Sequence, residues 1–353
     1  MAKRICYVHV GPYKTGTSSI QWFLKENRTE LLRHGYFVPD SRTWHGAHHP
    51  LAQKLCGQEL SNHKQSAAID FVRQLNQSSS QAVVISSEKL DVLLREAEYA
   101  KTFFSRLREL ELEPKLVFFP RNQSQSINSR YAEGVRDFSV SEPFDSFARR
   151  FAQSRGLKYS PLLELADTYN VMLIARPFTA ETVANGIVPM FLKAIGADPA
   201  QFRNTELRRN QTVGPFTVSV ARRVLRWVLG TARQFKHRQA RRCKFTLAAQ
   251  LDKNGLRDFG YCGLTTALAR QIDGACRSDN DTFAQRVWER PWKEIFGDDT
   301  RQEFVPNDFD IRRPDFFTRR RLRRAIRRMK AAAQEILNDP ALAVEVSRDD
   351  RSG

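Results

Sequence analysis

Between Tyr7 and Leu24 the chain reads YVHVGPYKTGTSSIQWFL, and this stretch limits the fold more tightly than any other. The apolar run Ile5–Val10 is the right length for a buried strand and far too short to cross a membrane. It empties into Gly11–Thr17, a loop with two glycines. Beyond that loop Ile20, Phe23 and Leu24 fall on one face at helical spacing. A strand passing through a glycine loop into a helix aims several backbone N–H groups at one point, beside the positive end of the helix dipole. That geometry binds phosphate oxygens. Lys14 adds a point charge, Thr15, Thr17 and Ser18 add hydroxyl donors, and Gly11, Tyr13 and Gly16 complete the loop.

The strand–helix unit recurs downstream. A short helix is expected from Asn27 to a terminal Gly35, and Tyr36–Pro39 reads as extended. Ala82–Ser86 (AVVIS), Lys115–Phe119 (KLVFF) and Val171–Ala175 (VMLIA) read as buried strands, each followed by polar residues and a helical pattern. The last leads into a helix expected over 180–195 and ended by Gly196. Strands alternating with helices imply βαβ units and a parallel sheet. The expected fold class is therefore α/β: a three-layer P-loop-type arrangement, its central parallel sheet flanked by helices. After about Asn210 the pattern turns helical and strongly basic, over 216–245, 263–296 and the tail from Thr318. The simplest division is a nucleotide-binding core at 1–215 and a helical portion, 216–353, completing the same domain.

The glycine loop is not a Walker A motif, in which lysine follows the second glycine and precedes Ser or Thr. Here Lys14 comes before Gly16, and Thr17 and Ser18 follow it. The order Gly-x-x-Lys-Thr-Gly-Thr-Ser resembles the 5′-phosphosulfate loop of sulfotransferases that use 3′-phosphoadenosine 5′-phosphosulfate (PAPS). A nucleotide with a separate 3′-phosphate needs a second anion site, and KLVFFPRNQSQSINSRYAEGV at 115–135 offers one. Arg121 stands at the C-terminal end of a buried strand, where α/β sheets bind ligands, and its guanidinium can make two parallel bonds to a phosphate. Ser129 follows eight residues later on the next helix. This strand–Arg–helix–Ser pattern resembles the family's 3′-phosphate site. SPLLELADTYN, VMLIARPF, FLKAIG, NQTVGP at 210–215 and DNDTFAQRVW at 279–288 resemble its bacterial, carbohydrate-type branch. There are departures. Ser18 stands where threonine is common, Pro120 precedes the arginine, and only DKNGLRDFG at 252–260 suggests a closing loop over the nucleotide.

The resemblance implies in-line transfer of a sulfuryl group from PAPS to a hydroxyl of an acceptor, a carbohydrate or glycolipid, with Lys14 on the leaving oxygen and no metal. An acceptor hydroxyl needs a base. Glu88, at the end of the strand in AVVISSEKL, resembles the family's base region. His48 and His49 in HGAHHPLA are the second candidates, because histidine titrates near neutrality. The bland readings are a helix-start glutamate and a surface loop.

Composition narrows the rest. Fifty-seven basic against 39 acidic residues give a formal charge of +18, which attracts polyanions of any kind. The arginine-rich helices at 222–242 and 318–328 are either solvated faces or a surface for an acidic glycan or an anionic membrane. No zinc-finger or RNA-module signature points to nucleic acid. The five scattered cysteines form no CxxC pair, which fits reduced structural thiols, and no signal-peptide pattern opens the chain, so a cytoplasmic protein is expected. A magnesium-dependent P-loop kinase and a non-catalytic polyanion-binding protein are the rival readings.

Overall fold

The computed structural model describes residues 3–41, 43, 45–60, 62–206, 213–297 and 303–343. Five parallel strands form one sheet: β1 Arg4–His9, β2 Tyr36–Phe37, β3 Ala82–Ser86, β4 Leu112–Phe118 and β5 Met172–Ala175, in the order β2-β3-β1-β4-β5. The central β1 pairs with β3 and β4 at once, so that Val8 stands between Ile85 and Leu116. Strands covered on both faces carry continuous rather than alternating apolar residues. Accordingly Val83, Val84 and Ile85 are all fully buried.

Each face of the sheet has its own core. Cys6, Val8, Ile85, Leu116 and Phe118 pack on one side against Phe103 and Phe104 of the helix Ala97–Glu109. Val84, Val117 and Phe119 pack on the other against Ile20, Phe23 and Leu24 of the helix Thr17–Glu26 and Phe191 of the helix Ile187–Ala194. Each fully buried side chain of this size stabilises the fold by about 1.5–3 kcal/mol. A third core contains no strand. It joins Gln123–Arg136 and Phe144–Ala152 to Pro215–Gly230, His237–Lys253, Thr266–Trp288 and Phe316–Asn338. Residues 216–343 therefore pack on helices from the first 215 residues.

Two sequence expectations need correction. β4 begins at Leu112 rather than Lys115, because Pro114 and the charged Glu113 mask a strand that nonetheless pairs with β1. The helix expected over 180–195 is two helices, Ala180–Asn185 and Ile187–Ala194, interrupted at Gly186 with φ 84°. The stretch 252–260 is held at one point to the helix Pro215–Gly230. Asp258 accepts hydrogen bonds from the N–H groups of Phe216 (2.9 Å) and Thr217 (3.1 Å), capping the helix Pro215–Gly230. Asn210, Gln211 and Thr212 of the NQTVGP stretch lie outside the described residues. Among the described residues no helix is long and apolar enough to cross a membrane.

Candidate functional site at the sheet switch point

The chain leaves β1 toward β2 and β3, and leaves β4 toward β5. The reversal falls at the C-terminal ends of β1 and β4, the position at which open α/β sheets bind ligands. Gly11–Gly16 follows β1 there and Arg121 follows β4. Backbone φ is positive at Gly11 (99°), Lys14 (71°) and Gly16 (76°). Left-handed residues alternating with others in this way turn successive N–H groups inward. At Gly16 only glycine fits, since a Cβ would stand 2.8 Å from Ile187 Cγ2. Gly16 brings no side chain to cap the helix Thr17–Glu26, and of the first turn the Ser19 N–H is taken by the Gly16 carbonyl at 2.9 Å.

The loop is braced from within and from β4. Thr15 is fully buried, and its hydroxyl donates to the Pro12 carbonyl at 2.7 Å; that hydroxyl tightens the turn instead of facing a ligand. Arg121 Nη1 donates to the Lys14 carbonyl at 2.8 Å, so the end of β4 and the loop after β1 touch. Lys14 Nζ pairs with Glu133 at 3.2 Å. Glu133 sits one turn beyond Ser129 on the helix Gln123–Arg136, so the lysine head lies along the helix that carries that half-buried serine. Tyr13 stacks beneath Arg130, 5.2 Å from guanidinium to ring centre, and burial pushes its phenol up to about 12. Thr17 is buried and Ser18 half-buried at the helix start.

The surroundings of Arg121 are those of an unneutralised charge. Among the described residues no carboxylate pairs with it, and its Nε is sealed from solvent without a hydrogen-bond partner. Desolvation lowers its pKa to about 10. The ring of Phe178 lies 5.4 Å from the guanidinium, and Tyr159 exchanges hydrogen bonds with the Arg121 backbone, 2.5 Å to its carbonyl and 3.2 Å from its N–H. A nucleotide with two separate anionic groups would need two sets of donors. Lys14 and the N–H groups of the loop would hold one, and Arg121 with Ser129 the other.

Glu88 and His49 form a second cluster. Glu88 Oε2 accepts from Gln21 Nε2 at 2.5 Å, and Oε1 lies 3.6 Å from His49 Nε2. The other ring nitrogen of His49, Nδ1, is 2.8 Å from Ser87 Oγ. Burial opposes the charge on Glu88, but His49 and Gln21 outweigh it and hold the carboxyl well below the usual carboxylate range. The Cα of Glu88 lies 3.4 Å from where a Cβ on Gly11 would stand, so this cluster adjoins the glycine loop. Gly46 makes the arrangement possible: a Cβ there would come within 2.4 Å of the Gln21 carbonyl, so only glycine lets the histidine segment close on the helix Thr17–Glu26.

His48 is a different matter. Its Nδ1 accepts from the Ser86 N–H at 2.9 Å, so Nε2 carries the proton and donates to the Pro39 carbonyl at 3.0 Å. Both nitrogens are used, burial lowers its pKa to about 4, and it is a structural tie between segments, not a base. The segment is also no surface loop, since Ala47 and His48 are buried.

Sequence reasoning missed Gln21, Ser87, Arg130, Glu133, Tyr159 and also His9. His9 is fully buried at the end of β1, 2.8 Å from Ser86 Oγ, with its ring against Phe119 and Phe191. The one signal within reach was the four-residue step from Ser129 to Glu133. A groove of about 910 Å³ lies elsewhere, over the helix Thr266–Trp288, and none of the expected site residues lines it. Its lining reaches toward the switch point: Asn280 exchanges hydrogen bonds with Gln123, and Trp292 stacks on Tyr159. Asp279, from the stretch 279–288, accepts from the Tyr159 N–H at 2.6 Å and fixes the start of the helix Ser160–Tyr169. Compared with protein-family models, with curated proteins and with solved structures, the chain matches none.

Proposed function

We propose that this chain is a cytoplasmic sulfotransferase that moves a sulfuryl group from PAPS to a hydroxyl of an acceptor, a carbohydrate or glycolipid. The observation that supports this reading best is Arg121: a desolvated guanidinium without a carboxylate, bonded to the loop that carries Lys14. The donor supplies the sulfuryl group, whose bond to the bridging oxygen breaks as the acceptor oxygen bonds to sulfur. The residues of the chain do the rest. The N–H groups at the start of the helix Thr17–Glu26 and the Lys14 ammonium stabilise the charge left on the bridging oxygen. Glu133 holds Lys14 until a stronger anion competes for it. Arg121 and Ser129 grip the 3′-phosphate and set the nucleotide's register. Glu88 and His49 act as one proton-accepting pair. The carboxylate stays ionised at neutral pH, and the proton removed from the acceptor is shared with the imidazole beside it.

The test is incubation of the protein with sulfur-labelled PAPS and a panel of cell-envelope glycans. The expected result is label on at least one glycan, lost in Lys14→Ala. Stabilisation by ATP with magnesium and no transfer to any acceptor would overturn the reading in favour of a kinase.

A further inference from the structure

The helix Phe316–Asn338 buries the stripe Leu322, Ala325, Met329, Ala333, Ile336 and Leu337 in the helical core. This fixes the face it turns outward. With about 100° of turn per residue, Phe316, Arg320, Arg323, Arg324 and Arg327 fall opposite that stripe. From 311 to 330 the chain holds nine arginines, one lysine and a single acid, Asp315. That acid is occupied as the helix cap, accepting from the Thr318 N–H at 2.9 Å. Among the described residues no ion pair reaches any arginine of this segment, whereas arginines elsewhere on the surface, such as Arg149 and Arg286, are paired. Charge of one sign is thus concentrated and left uncompensated.

Apolar side chains stand among these charges. Phe316 and Phe317 are 64% and 73% exposed, and Ile311 just before them is 52% exposed. A solvated helix face has no use for two neighbouring phenyl rings in water, and such groups mark an interaction site. Phe316 and four arginines, Arg319, Arg320, Arg323 and Arg327, line one open groove of about 500 Å³. Arg223 and Arg313 line a second groove beside it, which Arg319 and Arg323 also border.

We propose that this end of the molecule docks on an anionic phospholipid bilayer, with Phe316 and Phe317 entering the boundary between headgroups and acyl chains and the surrounding arginines paired with lipid phosphates. Basic residues around exposed aromatics are the composition that lies in such an interface. A nucleic acid would satisfy the arginines and leave the rings unused. They stand edge to face at 81°, and so offer no flat platform on which successive bases stack. This inference is independent of the sulfotransferase reading.

The experiment is co-sedimentation of the full chain with vesicles of phosphatidylcholine alone or with roughly a third phosphatidylglycerol, at low and physiological salt. Binding is expected only to the anionic vesicles, weakening as salt rises. The double variant Phe316→Ser, Phe317→Ser should lower the partition coefficient about tenfold at fixed salt, and Arg320→Gln, Arg323→Gln, Arg327→Gln together should abolish binding at physiological salt. All five positions are exposed, and an unchanged melting temperature verifies that the variants fold. Failure to bind anionic vesicles would overturn the proposal. So would binding that the phenylalanine variant leaves intact, or tight duplex binding that outcompetes the vesicles; either would mark a general polyanion surface.

Discussion

Arg121 and Arg222 both carry a positive charge into the protein, each with a buried Nε that finds no partner, and they differ in their counter-charges. Arg222, fully buried in the helical core, donates to both carboxylate oxygens of Asp308 at 2.9 and 2.7 Å and to the Tyr131 hydroxyl at 2.5 Å. Tyr261 completes the cluster by donating to Asp308 at 2.6 Å. Burial works against the charge on Arg222, yet these bonds raise its pKa above the ordinary value. Arg121 has one side-chain hydrogen bond, to a main-chain carbonyl, and its pKa is lowered. A guanidinium neutralised by a bidentate carboxylate ties helices together. Arg121, with no carboxylate paired to it among the described residues, is the one we propose receives an anion from outside.

Substitution separates the two roles. Arg222→Ala strands Asp308 inside the helical core and is expected to cost about 3–5 kcal/mol in urea denaturation. Arg121→Ala should change stability by only about 1 kcal/mol, because the partner it leaves, the carbonyl of the half-buried Lys14, is neutral. If Arg121→Ala unfolds the protein instead, the contrast fails. Next in size, Lys14→Ala is expected to lower turnover about 10²–10³-fold with the fold intact, as loss of a charge at the leaving oxygen requires. Glu88→Gln and His49→Ala should each cost about 10²-fold, and the double variant little more, because the pair works as a unit. A full rate in Glu88→Gln with a loss in His49→Ala would make the histidine the base by itself.

Acid sensitivity develops gradually with pH. His48 has a folded-state pKa near 4 against an ordinary 6.5. The unfolded chain therefore binds more protons between those values, so its contribution is full above pH 6.5 and declines as pH falls toward 4, by up to about 1.4 kcal/mol per pH unit. His9 is shifted in the same direction by burial. Unfolding free energy measured over this range should show a shallower slope in His48→Asn, and an unchanged slope would remove His48 from the account.

The sheet was legible because strands buried on both faces must be unbroken apolar runs, as AVVIS is. The start of β4 was not, since Pro114 reads as a strand-breaker until pairing with β1 is known. The loop and Arg121 announced themselves through spacing along the chain. Their neighbours could not. Tyr159 reaches Arg121 across 38 residues and Gln21 reaches Glu88 across 67, distances that no local pattern encodes. His48 and His49 are adjacent and alike in sequence, and only burial decides that one ties two segments while the other faces Glu88.

The central claim is that the crevice between Lys14 and Arg121 holds a nucleotide with a separate 3′-phosphate. Calorimetric titration with adenosine 3′,5′-bisphosphate, without metal, tests it directly. One site is predicted, tighter than for ATP with magnesium and weakened about 100-fold in Arg121→Ala. Bisphosphate binding that is indifferent to Arg121, or a preference for ATP with magnesium, would contradict it.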